Sequence, residues 1–148
     1  MKIAITGHRS VRLNGQEEKV RLWIKEQLIN FRACYKEIEL LNGMAKGVDQ
    51  IAAQEAISLG VPFICFFAYK RKLSEFEENI AAGAEKLIWV SDAYTGKSVY
   101  LERDRRMVDE CDVLLVVWDG IETGGTYYTY KYAQEQGKKI IFYPWGLR

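Results

Sequence analysis

Three glycine-bearing turns, each placed directly after a hydrophobic run, carry most of the chemistry that this sequence could perform. They are Thr6-Gly7-His8-Arg9, residues 42–49, and Asp119-Gly120 followed by Thr123-Gly124-Gly125-Thr126. Glycine lets the backbone approach a ligand closely, and the first N–H groups of a helix have no intrahelical partner. A helix that begins at such a turn can therefore bind an anion. We expect a phosphate-bearing ligand at these turns.

The second turn precedes a predicted helix over residues 48–58. A phosphate or a ribose could lie over the N–H of Gly47 and its neighbours, with Lys46 adding positive charge. Asp49 would repel a phosphate, but its carboxylate could accept hydrogen bonds from ribose hydroxyls. Capping of the helix is the alternative role for this carboxylate. Both interpretations stay open at the level of sequence.

The third turn opens the last predicted helix, over residues 126–136. Gly124 and Gly125 could form a second anion site in which the hydroxyl of Thr126 donates to phosphate. The alternative is a left-handed turn followed by a threonine near the helix start.

In the first turn, Arg9 offers a planar fork suited to phosphate, and His8 is either a solvated loop residue or a proton-transfer group.

Hydrophobic runs and amphipathic segments alternate along the whole chain. The apolar run over residues 62–67 is typical of a central parallel strand that helices cover on both faces. This alternation predicts an α/β fold, a Rossmann-like, doubly wound and mostly parallel sheet. At 148 residues, the chain is expected to form a single domain over 1–148. The three turns should then meet at the C-terminal edge of the sheet, where open α/β sheets bind ligands.

Composition limits the partners and the location that we expect. Lys and Arg number 21 against 20 for Asp and Glu, so no global field attracts nucleic acid, which we expect to be an unlikely partner. The three cysteines form no CxxC pair, which favours reduced thiols and a cytoplasmic location. No signal peptide or bilayer-spanning run is evident, so no membrane association is expected. With one histidine and no Cys/His cluster, we expect no metal and no cofactor.

The three turns, in this order, resemble those of the SLOG superfamily, particularly its small YspA/YpsA-like members. That superfamily includes the DprA DNA-processing proteins and the Lonely Guy phosphoribohydrolases. The resemblance extends over about residues 2 to 143 and implies a Rossmann-like fold whose glycine turns bind nucleotides or their derivatives. None of the turns matches GxGxxG or GxxxxGK[ST], so neither a standard dinucleotide fingerprint nor an ATP-hydrolysing loop is expected.

Two branches of the superfamily bear on function. Residues 43–49 resemble the GxxxGxD turn with which DprA helps to hold single-stranded DNA. Arg103 resembles an arginine of the Lonely Guy enzymes, and it is therefore a candidate contact for phosphate or ribose. The lysine that follows this arginine in the enzymes appears here as Asp104, and their glutamate after the GT pair is replaced by Thr129 or lost. The motif for glycosidic cleavage is thus broken in this chain.

The sequence therefore predicts a protein that binds a nucleotide or an NAD-derived molecule, as a sensor or a sequestering protein. An N-glycosidic hydrolase or transferase is the alternative, with Asp119 or Asp49 as the catalytic carboxylate, and DprA-like binding of single-stranded nucleic acid is a third possibility. The expected ligand-binding residues are Thr6, Gly7, His8, Arg9, Gly43, Met44, Ala45, Lys46, Gly47, Asp49, Arg103, Asp119, Gly124, Gly125 and Thr126.

The last predicted helix is rich in tyrosine, and Tyr128 and Tyr132 share a face at i, i+4. A nucleobase could stack there, although helix packing or a subunit interface is the simpler role for tyrosines, which combine a large apolar area with one polar tip. The tryptophans and this helix exceed what a small core needs. We therefore expect a homo-oligomer.

Overall fold

The structure is a computed structural model and describes residues 1–146 of the chain. Strands and helices alternate as expected. The bounds of the elements are β1 Lys2–Gly7, α1 Glu17–Cys34, β2 Glu39–Asn42, α2 Val48–Leu59, β3 Phe63–Tyr69, α3 Glu75–Ala81, β4 Lys86–Ser91, α4 Ser98–Glu110, β5 Val113–Val117, α5 Gly125–Glu135 and β6 Lys139–Phe142. A short 3-10 helix, Ser10–Leu13, lies between β1 and α1.

All six strands pair in parallel, in the order β4-β3-β2-β1-β5-β6. The chain builds outward from β1 to β4 and then returns to the other side of β1 with β5 and β6. The direction reverses between β1 and β5, and a crevice at the carboxyl ends of such strands is the usual ligand site of this architecture. The predicted Rossmann-like, doubly wound α/β fold is confirmed, and the described sheet is wholly parallel.

Both faces of the sheet are buried, because successive side chains of a strand point to opposite sides. Ile3 and Ile5 of β1 belong to the core on the face covered by α1 and α2. Ala4, between them, belongs to the core beneath α4 and α5. Strands buried in this way are continuous apolar runs, which explains why the sequence of β3 shows no alternation.

β3 extends two residues beyond the predicted end at position 67, because Tyr69 continues the pairing with β4 opposite Ser91. This extension matters for the site, since it carries Tyr69 to the carboxyl edge of the sheet.

Among residues 1–146, no helix is both long enough and apolar enough to cross a bilayer.

Candidate functional site

A large open cleft lies along the carboxyl edge of the sheet and has a volume of about 1010 Å³. We call it the main cleft. It is lined by residues 6–12 at and after the end of β1, residues 43–47 and the start of α2, the end of β3 with the start of α3, four residues of α4 (Tyr100, Leu101, Arg103 and Asp104), and Gly125 with Thr126 at the start of α5. Parts of all three predicted turns thus line one site, although the third turn contributes Gly125 and Thr126 and not Asp119 or Gly124.

The loops after β1 and β2 are held together by two glycines. Gly47 has φ +96°, and a Cβ added there would lie 2.5 Å from the carbonyl oxygen of His8. A Cβ added at Gly7 would likewise lie 2.5 Å from a methyl carbon of Val48. The N–H of Val48 donates to the same His8 carbonyl at 3.2 Å. Glycine is therefore needed at both positions for the two loops to meet.

Some backbone N–H groups of the turn over residues 43–47 already donate hydrogen bonds to protein side chains. Met44 adopts a left-handed conformation (φ 56°), and its N–H donates to the Asn42 side chain at 3.1 Å. The N–H of Ala45 donates to Oδ2 of Asp49 at 3.3 Å. Within residues 1–146, the N–H groups of Lys46 and Gly47 have no such partner. The donors left for an anion therefore lie at the last two residues of the turn, and the side chain of Lys46 is exposed beside them.

Asp49 is a buried carboxyl group in the first turn of α2, at the wall of the main cleft. Its Oδ1 atom is buried and has no hydrogen-bond partner among the described residues. Burial, opposed by the nearby Arg103, raises the pKa of Asp49 to about 7. The bond from Ala45 fastens the preceding turn and does not cap α2, whose start has no side-chain cap hydrogen bond. Its role as a ligand contact or catalytic group stays a prediction.

Arg103 is a buried cation that joins α4 to the turn after β2. Its Nη1 donates to the carbonyl oxygen of Gly43 at 2.6 Å, and its Nε donates to Asp104 at 2.8 Å. Asp104 also accepts a hydrogen bond from the Thr129 hydroxyl at 3.0 Å, which connects α4 to α5. A Cβ at Gly43 would lie 2.8 Å from the Arg103 Nε atom. Arg103 also lines the main cleft, although little of its side chain is exposed there.

His8 and Asp119 form a contact between the ends of β1 and β5 that sequence analysis did not anticipate. The backbone N–H of Asp119 donates to Nε2 of His8 at 3.0 Å, so this nitrogen acts as an acceptor. Burial lowers the pKa of His8 despite the nearby Asp119 carboxylate. The imidazole is buried and meets the Trp145 ring edge-to-face with centroids 6.0 Å apart. These contacts give His8 a positioning role, and its function as a ligand contact stays a prediction.

The carboxylate of Asp119 already accepts hydrogen bonds from protein groups. Arg12 donates to it through Nη2 at 2.8 Å and through Nε at 3.2 Å, and the N–H of Ile121 donates at 2.9 Å. Burial raises the pKa of Asp119, but the bonds from Ile121 and Arg12 outweigh that effect and lower it overall. A carboxylate engaged in this way is poorly placed to stabilise a ribosyl cation. The catalytic assignment of Asp119 stays a prediction.

The start of α5 leaves room for a ligand. A Cβ added at Gly125 would meet no atom within 4 Å, whereas at Gly124 it would approach the Arg12 guanidinium at 3.0 Å. Gly125 and the buried Thr126 both line the main cleft. Gly124 itself is not among the cleft residues, so its contribution is to the shape of the turn.

Sequence analysis missed the residues at the far end of the main cleft, which come from β3, α3 and α4. Tyr100 is 37% exposed and Phe76 is 49% exposed, and both line the main cleft with Tyr69. Arg71 lies there as well but is bound by Glu77 at 2.6 and 2.9 Å, which helps to lower the pKa of that glutamate to about 2. No glycine turn marks these positions. Their juxtaposition depends on how α3 and α4 cross the end of β3.

Metal binding has no evident site in the described part of the chain. No group of three or more His, Cys, Asp and Glu side chains among residues 1–146 could hold an ion.

The strand order and the two helix N-termini beside β1 define a Rossmann-like domain. The family model described as DNA recombination-mediator protein A matches residues 1–148. The chain belongs to this family. A search of curated protein sequences found no match.

Solved structures agree with this assignment. DNA processing protein A (DprA) from Streptococcus pneumoniae has a TM-score of 0.71 at 20% identity, over 99% of this chain and 51% of that protein. DprA from Helicobacter pylori has a TM-score of 0.73 at 20% identity, over 100% of this chain and 67% of that protein. The molybdenum cofactor carrier protein of Chlamydomonas reinhardtii has a TM-score of 0.65 at 16% identity, over 95% of this chain and 74% of that protein. At these identities the likeness shows the fold, and this chain spans about half the length of the streptococcal protein.

The expectation that nucleic acid is an unlikely partner is wrong. The chain belongs to a family named for DNA recombination, and the Helicobacter pylori DprA has a described single-stranded DNA binding mode. The error came from using total charge. Five cationic residues line the main cleft against three acidic ones, although the whole chain carries a net charge of only +1. Local charge, not the total, decides whether a phosphate backbone can be held.

Proposed function

We propose that the main cleft binds single-stranded DNA, with phosphates at its basic end and bases at its aromatic end. The observation that carries this proposal is the arrangement of the cleft itself. Two exposed cations without acidic partners, Arg9 and Lys46, line one region, and the exposed rings of Tyr100 and Phe76 line another. Grooves that bind single strands combine these two features.

The phosphate contacts would come from side chains and backbone together. Arg9 and Lys46 can approach the strand freely because neither has an ion-pair partner among residues 1–146. The N–H groups of Lys46 and Gly47 lie beside the N-terminus of α2, whose dipole favours an anion. Arg103 also lines the main cleft, beside the turn at Gly43, but its charge is shared with Asp104.

The base contacts would come from rings that are already held in position. Tyr100 packs with Tyr69 at a centroid distance of 6.3 Å, and the Arg103 guanidinium lies 5.9 Å from the Tyr100 ring. The Tyr100 side chain is still partly exposed in the main cleft, so it offers a surface for stacking. Each stacked base is worth about 1–3 kcal/mol in single-strand complexes.

The test is fluorescence anisotropy with labelled oligodeoxythymidine over a range of salt concentrations. The double variant Arg9→Ala/Lys46→Ala should bind more weakly, and its salt dependence should fall by about 1.4 in slope, since each lost phosphate contact removes about 0.7. Lys19→Ala/Lys25→Ala is the matched control, because it removes two exposed cations from α1, outside the main cleft. Equal effects of both pairs would reject the proposal.

A single nucleotide or phosphorylated cofactor in the same cleft is the second candidate. The name of the Chlamydomonas protein favours it, since a carrier of the molybdenum cofactor shares this fold over 95% of the chain. We infer that such a ligand would use the same phosphate contacts. Incubation with AMP, dAMP, NAD, ADP-ribose and cyclic nucleotides, followed by mass spectrometry of retained molecules, separates the candidates. Retained ligand with no affinity for oligonucleotides would favour the sensor or sequestering role.

The same incubation tests N-glycosidic cleavage. Released free base that disappears in Asp119→Asn or Asp49→Asn would identify an enzyme. Asp119 has its oxygens bound by Arg12 and Ile121, and Asp49 is buried, so we expect no release of free base.

Self-association stays a prediction, which light scattering can check.

A further inference from the structure

A second, smaller concavity lies between α4 and α5, beside the main cleft, with a volume of about 160 Å³. We call it the α4/α5 groove. Leu101 and Asp104 line both the groove and the main cleft, so the two depressions adjoin. A ligand leaving the main cleft past Asp104 would enter the groove directly.

The carboxylate at this junction would be an obstacle to a polyanion if it were unpaired. It is not, because Asp104 accepts from Nε of Arg103 at 2.8 Å and from the hydroxyl of Thr129 at 3.0 Å. The negative charge is thereby balanced by a buried guanidinium. Passage of a phosphate backbone past Asp104 is electrostatically tolerable.

Two cations line the groove and have no ion-pair partner among residues 1–146. Arg105 is exposed, and its guanidinium lies 5.7 Å from the Tyr132 ring rather than in an ion pair. Lys131 donates to Gln134 at 3.0 Å and forms no ion pair among residues 1–146. Glu135 is the acidic lining residue that no described cation neutralises. The groove therefore has two available positive charges against one negative charge.

Aromatic side chains line the same groove. Tyr128 is 56% exposed and lines the groove on the same face of α5 as Tyr132. Tyr132 is held in place by donating its hydroxyl proton to Asp109 at 2.6 Å. The groove thus combines an exposed ring with two cations among its lining residues, as the main cleft does.

We propose that the α4/α5 groove is a second segment of the DNA path, which receives the single strand as it leaves the main cleft. Arg105 and Lys131 would contact phosphates, and Tyr128 would stack against a base. This inference rests on the proposed function of the main cleft. It makes the ligand a chain several nucleotides long rather than a mononucleotide.

The test compares a 4-nucleotide with a 15-nucleotide oligodeoxythymidine, lengths of roughly the lower and upper site sizes of single-strand binding folds. Arg105→Gln/Lys131→Gln should weaken binding of the longer strand about tenfold and reduce its salt slope by about 1.4, while leaving the shorter strand unaffected. Tyr128→Ala should also weaken the longer strand, whereas Tyr128→Phe should not, since the ring remains. Lys19→Gln/Lys25→Gln is the matched control.

The outcomes separate this inference from the function on which it rests. If the groove variants bind both lengths as the unmodified protein does, the groove is not on the path, and the main cleft assignment is untouched. If they weaken both lengths equally, their effect is on the main cleft or the fold, and the inference is also wrong. If Arg9→Ala/Lys46→Ala leaves both lengths unaffected, the proposed function fails and the inference fails with it.

Discussion

The backbone N–H of Asp119 donates a hydrogen bond to the Nε2 atom of His8 over 3.0 Å, which links the loop after β5 to the loop after β1. This bond crosses the point where the strand order reverses. It requires a histidine that is unprotonated at Nε2, since a protonated ring has no acceptor there. The geometry of the main cleft is thus connected to the protonation of one buried side chain.

Stability should therefore fall as pH decreases below the ordinary histidine value. Burial lowers the pKa of His8 below 6.5, so the unfolded chain binds a proton in a range where the folded chain does not. The stabilisation is complete above pH 6.5 and is lost as pH falls toward the folded pKa. Urea unfolding of the protein and of His8→Gln at pH 5.5, 6.5 and 8 checks this. An equal pH slope in both proteins would contradict the assignment to His8.

Asp49 should have the opposite effect on the pH dependence of stability, which it should lower as pH rises. Because burial raises its pKa from 3.8 to about 7, the folded chain holds this proton more tightly, and stability is lost as pH rises between those values. Asp49→Asn keeps an acceptor for Ala45 N–H and removes the buried charge. It should unfold at higher urea than the unmodified protein at pH 8, with a smaller difference at pH 5.

The control for Asp49→Asn is Asp92→Asn, which replaces an exposed carboxylate outside the main cleft. We expect no pH-dependent gain from it. If Asp49→Asn were less stable at pH 8, the buried carboxylate would be stabilised by the N-terminus of α2 more than burial penalises it.

Gly47→Ala should destabilise the fold strongly. An alanine there adopts an unfavourable φ of +96° and places its methyl 2.5 Å from the His8 carbonyl. Gly15→Ala is the matched control, since φ is +77° and nothing lies within 4 Å. The control should lose about 1–2 kcal/mol in free energy of unfolding from its conformation alone. Gly47→Ala should lose a further ~1–3 kcal/mol from overpacking, and equal losses would mean that the two loops separate easily.

Gly125→Ala should lower the affinity for oligodeoxythymidine with little change in the free energy of unfolding. Its methyl meets no protein atom within 4 Å and faces the main cleft, and residue 125 lies within α5. Because alanine favours helix, the free energy of unfolding should change by less than about 1 kcal/mol. Affinity for oligodeoxythymidine should fall severalfold, since the added methyl occupies space at the helix N-terminus. Unchanged affinity would place the strand away from α5.

Much of the fold could be predicted because strand burial and helix periodicity are local signals. The apolar run of β3 and the spacing of Val20, Ile24 and Leu28 in α1 correspond directly to buried positions. The three turns could be assigned to one edge because parallel strands end together. These predictions needed the sequence pattern and one rule of topology.

The site was harder to predict because its contacts join distant parts of the chain. Arg12 binds Asp119 across 107 positions, and no local pattern marks that pair. The aromatic end of the main cleft depends on the extra length of β3 and on where α4 crosses it, so Tyr69 and Tyr100 gave no signal. Glycines marked where a backbone could approach a ligand, but not which N–H groups were already used, as at Met44 and Ala45.

The fit of the Arg103 guanidinium against Gly43 has a consequence for the history of the family. The cation occupies the space that any side chain at position 43 would need. A larger residue at position 43 and an arginine at position 103 are therefore incompatible in this geometry. The two positions should covary among relatives: lineages that lost the arginine are free to lose the glycine, and those that kept the arginine must keep the glycine.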